Sequence, residues 1–262
     1  MRVWEGWKRT FEMHTRTRQY QRHVDDALRL VERALRGKLS PLISWSGGKD
    51  STALTHLVRV KYGADIAVIS EKDDLDYPGE EAYVRALAEE WNARVEIVRP
   101  PVSPLGWLLE RRGVFSAGED VHSRNAGLSK ACFYGVMERA GEGHDVALWG
   151  LRAEESGPRR RLLTRKGPLY QLAAGTWRAH PLAFWTGLDV FAYLHAHEIE
   201  PLSVYKCCGW LPEHRTKPWL IRKSWWLPGA HAKNGAVAWL ARYYPSLYAI
   251  LKDVAPDARS YS

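Results

Sequence analysis

Six consecutive residues, Ser46-Gly47-Gly48-Lys49-Asp50-Ser51, hold the densest chemistry in this chain. Two glycines let the backbone turn tightly and bring several N–H groups towards one point. Lys49 adds a full positive charge, the hydroxyls of Ser46 and Ser51 donate hydrogen bonds, and a helix starting here adds the partial positive charge of its N-terminus. Together they make a cradle for a phosphate-sized anion. The loop is not a Walker A motif, whose four-residue spacer is missing, nor the G-x-G-x-x-G dinucleotide turn. A plain Gly-Gly turn with Asp50 as helix cap is the simpler reading. The strand expected before the loop and the helix expected after it favour the anion site. Asp50 is placed to organise the loop or a Mg²⁺ ion.

A second motif starts at Gly150 and runs Leu151-Arg152-Ala153-Glu154-Glu155-Ser156-Gly157-Pro158-Arg159-Arg160-Arg161. Arg152, with Arg159 or Arg160, can clamp a phosphate or sulfate bidentately, and Glu155 can orient one of them. Ser44, Ile69 and Gly150, near expected strand ends, join Ser46, Gly47, Gly48, Ser51 and Glu155 as nucleotide-binding candidates. Lys49, Asp50, Arg152, Arg159 and Arg160 are the catalytic candidates. Asp74 and Asp76 close the second expected strand and, with Asp50, are the candidate metal ligands. The cysteines offer less. Cys207 and Cys208 are adjacent, a spacing that strains any disulfide between them. No Cys-x-x-Cys accompanies His195, His197 and His214 to make a zinc site. Cys132 reads as a small core residue.

These residues need elements to hold them. Val24, Ala27, Leu28, Val31 and Leu35 predict a helix over about 20–36 that Gly37 ends. Pro41 to Trp45 predicts a strand, and Ala53, Leu54, Leu57 and Val58 a helix behind the glycine loop. The unit repeats with a strand over 66–69, an acidic loop over 71–76, a helix carrying Leu87, Ala88 and Trp91, and a strand over 95–98. Residues 99–127 are weakly patterned, 128–140 read as helix, and 146–149 as the fourth strand. Alternation of this kind predicts a parallel sheet wrapped by helices. Beyond Gly150 the pattern changes. Residues 151–178 read as an Arg-rich loop with a strand over 169–172, and Thr186-x-x-Asp189 as a capping box opening a helix that runs to His197. Val237, Leu240, Ala241 and Tyr244 suggest a last helix broken at Pro245. The expected organisation is an N-terminal helical segment over 1–38, an α/β nucleotide-binding domain over 39–200 and a Trp- and base-rich extension over 201–262.

The 262 residues are 45% apolar and 26% charged, which excludes disordered, collagen-like and coiled-coil classes. A mean hydropathy of −0.39 and no apolar run near eighteen residues speak against a spanning helix, so no membrane partner is expected. The first residues lack the apolar core of a secretion signal, and an odd count of 3 cysteines makes no disulfide framework, so a cytoplasmic location is expected. The net charge of +8 is unevenly spread: residues 65–96 carry 10 acids against 3 bases, and residues 206–233 carry 6 bases against 1 acid. A basic rim around an acidic middle suits an anionic ligand, a nucleotide or a nucleic acid. Of the 13 tryptophans, 7 fall after residue 176, interleaved with lysines and arginines, which suits either a small aromatic core or base stacking.

The glycine loop resembles the pyrophosphate-binding loop of the PP-loop ATP pyrophosphatases, with their adenine nucleotide α-hydrolase-like, Rossmann-type fold. Taken with the 150–161 motif, the chain is similar to the phosphoadenosine-phosphosulfate (PAPS) reductase family, which includes the ATP-using small subunit of sulfate adenylyltransferase. His180-Pro181-Leu182, the 185–194 segment and Pro201 to Tyr205 continue that resemblance over about residues 40–206. It implies a doubly wound parallel α/β sheet with an irregular, partly helical C-terminal extension, binding an adenine nucleotide at the strand ends. The match departs where reductases carry a late Glu-Cys-Gly-x-His segment, since no cysteine follows Cys208. Three cysteines fall short of four thiolates, so no iron–sulfur cluster is expected. Reductases also tend to lack the full Ser-Gly-Gly-Lys-Asp-Ser loop. These features make ATP with Mg²⁺ the expected nucleotide, cleaved between its α and β phosphates to adenylylate an acceptor. The acceptor is unknown, with a nucleic acid or a partner protein both open, as is a homo-oligomer. The alternatives are PAPS reduction with an external thiol and a non-catalytic nucleotide- or nucleic-acid-binding module.

Overall fold

The computed structural model describes residues 3–74, 76–106, 141–207, 211–221, 223, 235–254 and 256–261. Its centre is a six-stranded sheet of short strands: β1 (Pro41–Ser44), β2 (Ala67–Glu71), β3 (Val95–Val98), β4 (Val146–Leu148), β5 (Leu169–Gln171) and β6 (Trp177–Ala179). The order is β3-β2-β1-β4-β6-β5, and every pairing is parallel except the edge pair β5–β6. Register follows side-chain alternation. Ile43, Val68, Val146 and Leu148 enter the main core on one face, while Leu42, Ile69 and Ala147 pack together on the other. The chain leaves β1 towards β2 and β3 on one side and returns through β4 to β6 and β5 on the other. The order therefore reverses between β1 and β4, which is where open α/β sheets bind ligands at their carboxyl ends.

Helices surround this frame: α1 (Val3–Thr15), α2 (Arg18–Leu35), α3 (Lys49–His56, continued as a π turn over Leu57–Lys61) and α4 (Glu80–Glu90) come from the first half. The second half gives α5 (Gly157–Lys166), α6 (Gly187–Ala196), α7 (Ala236–Tyr243) and α8 (Pro245–Val254). The predicted capping box is present: Asp189 N–H donates to Thr186 Oγ1 at 3.1 Å and Thr186 N–H to Asp189 Oδ2 at 2.6 Å. The same fully buried carboxylate receives His14 Nε2 at 2.7 Å and His23 Nδ1 at 2.9 Å, and Phe11 stacks on Phe191 at 5.7 Å. These contacts fasten both N-terminal helices to α6. No helix among the described residues is long and apolar enough to cross a membrane.

Four expectations need correction. Residues 157–166 form helix α5, not loop. Ser156 caps it by accepting from Arg159 N–H at 3.3 Å, and Gly167 at φ +75° ends it. Only Leu163 is buried, so the helix has caps but no apolar period to betray it. Strand β6 was not anticipated, being three residues with an arginine in the middle, and with β5 it adds an antiparallel edge to the otherwise parallel sheet. Glu71 is the last residue of β2, not the first of the acidic loop. The helical run does break at Pro245, but that helix is not the last: Pro245 opens α8, because the first position of a helix needs no N–H donor. The helix expected over 128–140, Cys132, Cys208 and most of 99–127 lie outside the described residues.

Candidate nucleotide site

The glycine loop sits between β1 and α3, at the carboxyl edge of the sheet beside the β1–β4 switch. Gly47 has φ +79°, and a Cβ there would lie 3.1 Å from Val84 Cγ2 and 3.3 Å from Glu80 Cγ. Conformation and space both demand glycine. Gly48 is the N-cap of α3. The two loop serines brace the turn: their hydroxyl oxygens are 3.0 Å apart, Ser46 N–H donates to Ser51 Oγ at 3.2 Å, and Ser51 Oγ donates to the Gly48 carbonyl at 3.0 Å. Buried Tyr205 receives Lys49 N–H on its hydroxyl at 3.1 Å and pins the first helical turn.

Lys49 is turned inward, 2% exposed, with Nζ 2.8 Å from Asp50 Oδ2 and 5.5 Å from the centre of the Tyr205 ring. Burial pushes its pKa down. Asp50 also accepts from Arg152 Nε at 2.5 Å. Burial alone would raise the Asp50 carboxyl, but Arg152 and Lys49 override it and hold it at about 2. Arg152 is 3% exposed and spends Nη1 on Glu154 Oε2 at 2.6 Å and on the Trp185 carbonyl at 3.3 Å. Burial opposes its charge, yet Asp50 and Glu155 raise its pKa further. The two motifs also touch backbone to backbone, since a Cβ on Gly150 would lie 2.9 Å from the Asp50 carbonyl carbon.

The other sequence-derived candidates are distributed unevenly. Glu155 accepts from Arg152 N–H at 3.0 Å and is ion-paired with Arg159, so it touches both arginines of the motif. Arg160 is exposed on α5. Ser44 ends β1 in register with Ile69, whose carbonyl already accepts from Trp45 N–H at 2.9 Å. The three metal-ligand candidates do not converge. Asp50 is held as described, Asp74 accepts from Ser103 Oγ and from Leu105 N–H at 3.1 Å, and Asp76 pairs with lysines. Among the described residues no group of three or more His, Cys, Asp or Glu could hold a metal ion. Asp50, Asp74 and Asp76 therefore do not assemble a Mg²⁺ site with one another. Cys207 is half-buried, with Sγ 3.8 Å from the Ser203 carbonyl.

What sequence reasoning missed is a buried charge cluster behind the loop. Lys72 Nζ donates to the Ser46 carbonyl at 2.9 Å and to Glu80 Oε1 at 2.5 Å, and lies 3.7 Å from Asp76 Oδ2. Lys223 Nζ donates to the same carbonyl at 2.8 Å, to Asp76 Oδ1 at 3.1 Å and to Glu80. Two ammonium groups thus grip the Ser46 carbonyl from behind. In a trans peptide this turns the Gly47 N–H to the opposite side. Burial, then Asp73 and Asp76, push the neighbouring Glu71 carboxyl up to about 8. The signal for this cluster was the charge asymmetry itself: the acidic 65–96 stretch and the basic 206–233 stretch meet here. A depression of about 330 Å³ lined by Lys72, Asp73, Asp76, Glu80 and Arg99 opens beside the cluster. A larger cavity of about 420 Å³ lies between α4 and residues 198–206, lined by none of the candidate residues.

Comparison with known proteins bears on this arrangement. Residues 40–207 match the model of the phosphoadenosine phosphosulfate reductase domain. The phosphoadenosine 5′-phosphosulfate reductase of Xanthomonas axonopodis pv. citri is 30% identical over 166 residues, covering 62% of this chain and 65% of that protein. The enzyme of the same name from Yersinia enterocolitica is 27% identical over 184 residues, covering 68% of this chain and 71% of that protein. The match to the Xanthomonas relative therefore spans less than two thirds of its length. A crystal structure of the PAPS reductase from Candida auris, in a phosphate complex, superposes with a TM-score of 0.51 over 67% of this chain and 81% of that one, at 14% identity. That likeness bears on the fold. The family match runs from β1 through the glycine loop and the Arg152 motif to Cys207, and by it the chain belongs to the phosphoadenosine phosphosulfate reductase family.

Proposed function

We propose that this protein binds ATP with its β and γ phosphates in the 46–51 loop and cleaves it between the α and β phosphates, passing the adenylyl group to an acceptor. One observation carries the reading: the complete Ser-Gly-Gly-Lys-Asp-Ser loop, glycine-restricted at Gly47, is packed directly against the Gly150 turn at the switch point of the sheet. A nucleotide without a β–γ pyrophosphate would leave such a cradle unused. In the reaction a nucleophilic atom of the acceptor bonds to the α-phosphorus. The bond from that phosphorus to the oxygen bridging the β-phosphate breaks, its electron pair leaves with pyrophosphate, and the acceptor proton passes to solvent. The loop N–H groups and the α3 N-terminus hold the departing pyrophosphate. Arg152, with Nε and Nη1 engaged by the protein, keeps Nη2 for an oxygen of the α-phosphate, a preorganised charge where charge develops. Asp50, ionised down to about pH 2, is no proton acceptor at neutral pH. It fixes Lys49 and Arg152 relative to each other.

The relatives' names favour a second reading, reduction of PAPS, in which Cys207, Cys208 or an external thiol supplies the electrons. Ion-exchange chromatography of the protein incubated with Mg²⁺-ATP, and in parallel with PAPS plus thioredoxin, separates the two. AMP and pyrophosphate support the proposal. Sulfite and adenosine 3′,5′-bisphosphate without AMP overturn it in favour of reduction. Absence of both products, together with no ATP-induced rise in melting temperature, overturns both.

A further inference from the structure

Helix α5 opens with arginines where a helix least favours them. Cations near the N-terminus oppose the macrodipole, yet Arg159, Arg160 and Arg161 follow Pro158 directly, and only Arg159 is compensated, by Glu155. The ten residues include no acid. Elsewhere the exposed Arg16, Arg29, Arg36 and Arg85 each lie beside a carboxylate one turn away. Arg18, Arg22 and Arg33 on α2 have no such partner among the described residues, but that helix carries Asp25, Asp26 and Glu32 of its own. On α5, Arg160, Arg161, Arg165 and Lys166 are all exposed, and none has a carboxylate partner among the described residues. Buried Leu163 anchors the helix, so Arg161 and Arg165, spaced i, i+4, project on the side away from the core.

The cations continue into a ladder with aromatic rings. Lys166 Nζ stands 4.9 Å over the Tyr170 ring. Tyr170 pairs directly across the β5–β6 hairpin with Arg178, which stands 5.0 Å over the Trp149 ring at the end of β4. Tyr170, Arg178 and Trp149 are each half-buried, so part of each side chain reaches solvent, although the Trp149 Nε1 atom is buried. Cation, ring, cation and ring therefore alternate across α5, β5, β6 and β4. The near end of α5 packs on the turn that carries Arg152.

We infer that this surface binds single-stranded nucleic acid, the α5 cations meeting phosphates and the Tyr170–Trp149 ladder meeting bases. Unpaired cations alone suit any polyanion. Interleaved aromatic faces suit a strand whose bases are free to stack. The inference holds for either nucleotide chemistry at the glycine loop.

The test is fluorescence anisotropy of the full chain with a labelled oligothymidylate across a salt series. Wild type is expected to bind with the logarithm of its affinity falling linearly with log[salt]. The triple variant Arg161→Gln, Arg165→Gln, Lys166→Gln, all surface positions, is expected to lower the slope by about 2, three phosphate contacts at roughly 0.7 each. Tyr170→Leu is expected to weaken binding about fivefold or more with the slope unchanged. Melting temperatures measured alongside establish that both variants are folded. An absence of salt-dependent binding by wild type, or an unchanged slope in the triple variant, overturns the inference. If inorganic polyphosphate competes as well as the oligonucleotide and Tyr170→Leu binds normally, the surface is a general polyanion site and the single-strand assignment fails.

Discussion

Replacing Gly150 with alanine tests whether the two motifs act as one site. The added Cβ would sit 2.9 Å from the Asp50 carbonyl carbon and 3.0 Å from both the Asp50 oxygen and the Ser51 nitrogen. Ordinary carbon contacts begin near ~3.5 Å, so the Gly150 turn and the first turn of α3 must part by about 0.6 Å. All three atoms are backbone, and no side chain can swing aside to absorb the change. Overpacking of this kind costs about 1–3 kcal/mol. The displaced group is the start of α3, the proposed phosphate-binding helix, and the same opening stretches the 2.5 Å contact from Arg152 to Asp50. If half or more of that cost falls on the ligand-competent form, nucleotide affinity drops roughly 2- to 150-fold. Titration calorimetry with ATP measures the affinity, and urea unfolding measures stability. Gly157→Ala is the control, because its Cβ would meet only the end of the flexible Arg161 side chain, at 3.3 Å. Wild-type affinity and wild-type stability in Gly150→Ala would refute the reasoning, for they would mean that the β4 exit and the glycine loop do not depend on each other.

Asp50→Asn leaves Lys49 and Arg152 buried without their shared anion, at a cost of about 3–5 kcal/mol in urea at pH 7. The folded pKa of Asp50, about 2, lies below its unfolded value, so this stabilisation is full above about pH 4 and is lost as pH falls through 2. The gap between wild type and variant should therefore narrow from pH 5 to pH 2. Glu71 behaves oppositely: its folded pKa of about 8 lies above the ordinary 4.5, so wild type loses stability as pH climbs between those values. Glu71→Gln should remove that decline and unfold at higher urea than wild type at pH 8, the difference closing near pH 4. Lys223→Met leaves Glu80 and Asp76 short of a cation and frees one grip on the Ser46 carbonyl. A loss of about 3 kcal/mol in stability is expected, with weaker ATP binding that Lys223→Arg partly restores.

The parts of this molecule that could be read from its sequence are those with local causes. Five of the six strands, the glycine loop and the Thr186 capping box announce themselves through apolar runs, turn residues and caps. Most of what was missed has distant causes. Lys72 looks like one base in an acidic stretch until Lys223, far along the chain, shows that both serve the same carbonyl. Helix α5 shows almost no apolar period because it buries one residue, and β6 is a strand only because β4 gives it a partner to lie against. Arg152 and Arg159, read as joint phosphate clamps, are divided by their neighbours: Asp50 draws one to the loop and Glu155 holds the other.

The double grip on the Ser46 carbonyl makes Lys223 part of the glycine loop, though 177 positions separate the two residues. Binding at one end and order at the other then share a single free energy. If the proposed nucleotide tightens the loop on binding, it also tightens the contact between the Ser46 carbonyl and Lys223. By the same reciprocity, a partner that drew Lys223 away would lower nucleotide affinity by an equal factor. Lys223 thus ties the glycine loop to the C-terminal third of the chain, so that a change at either end is felt at the other.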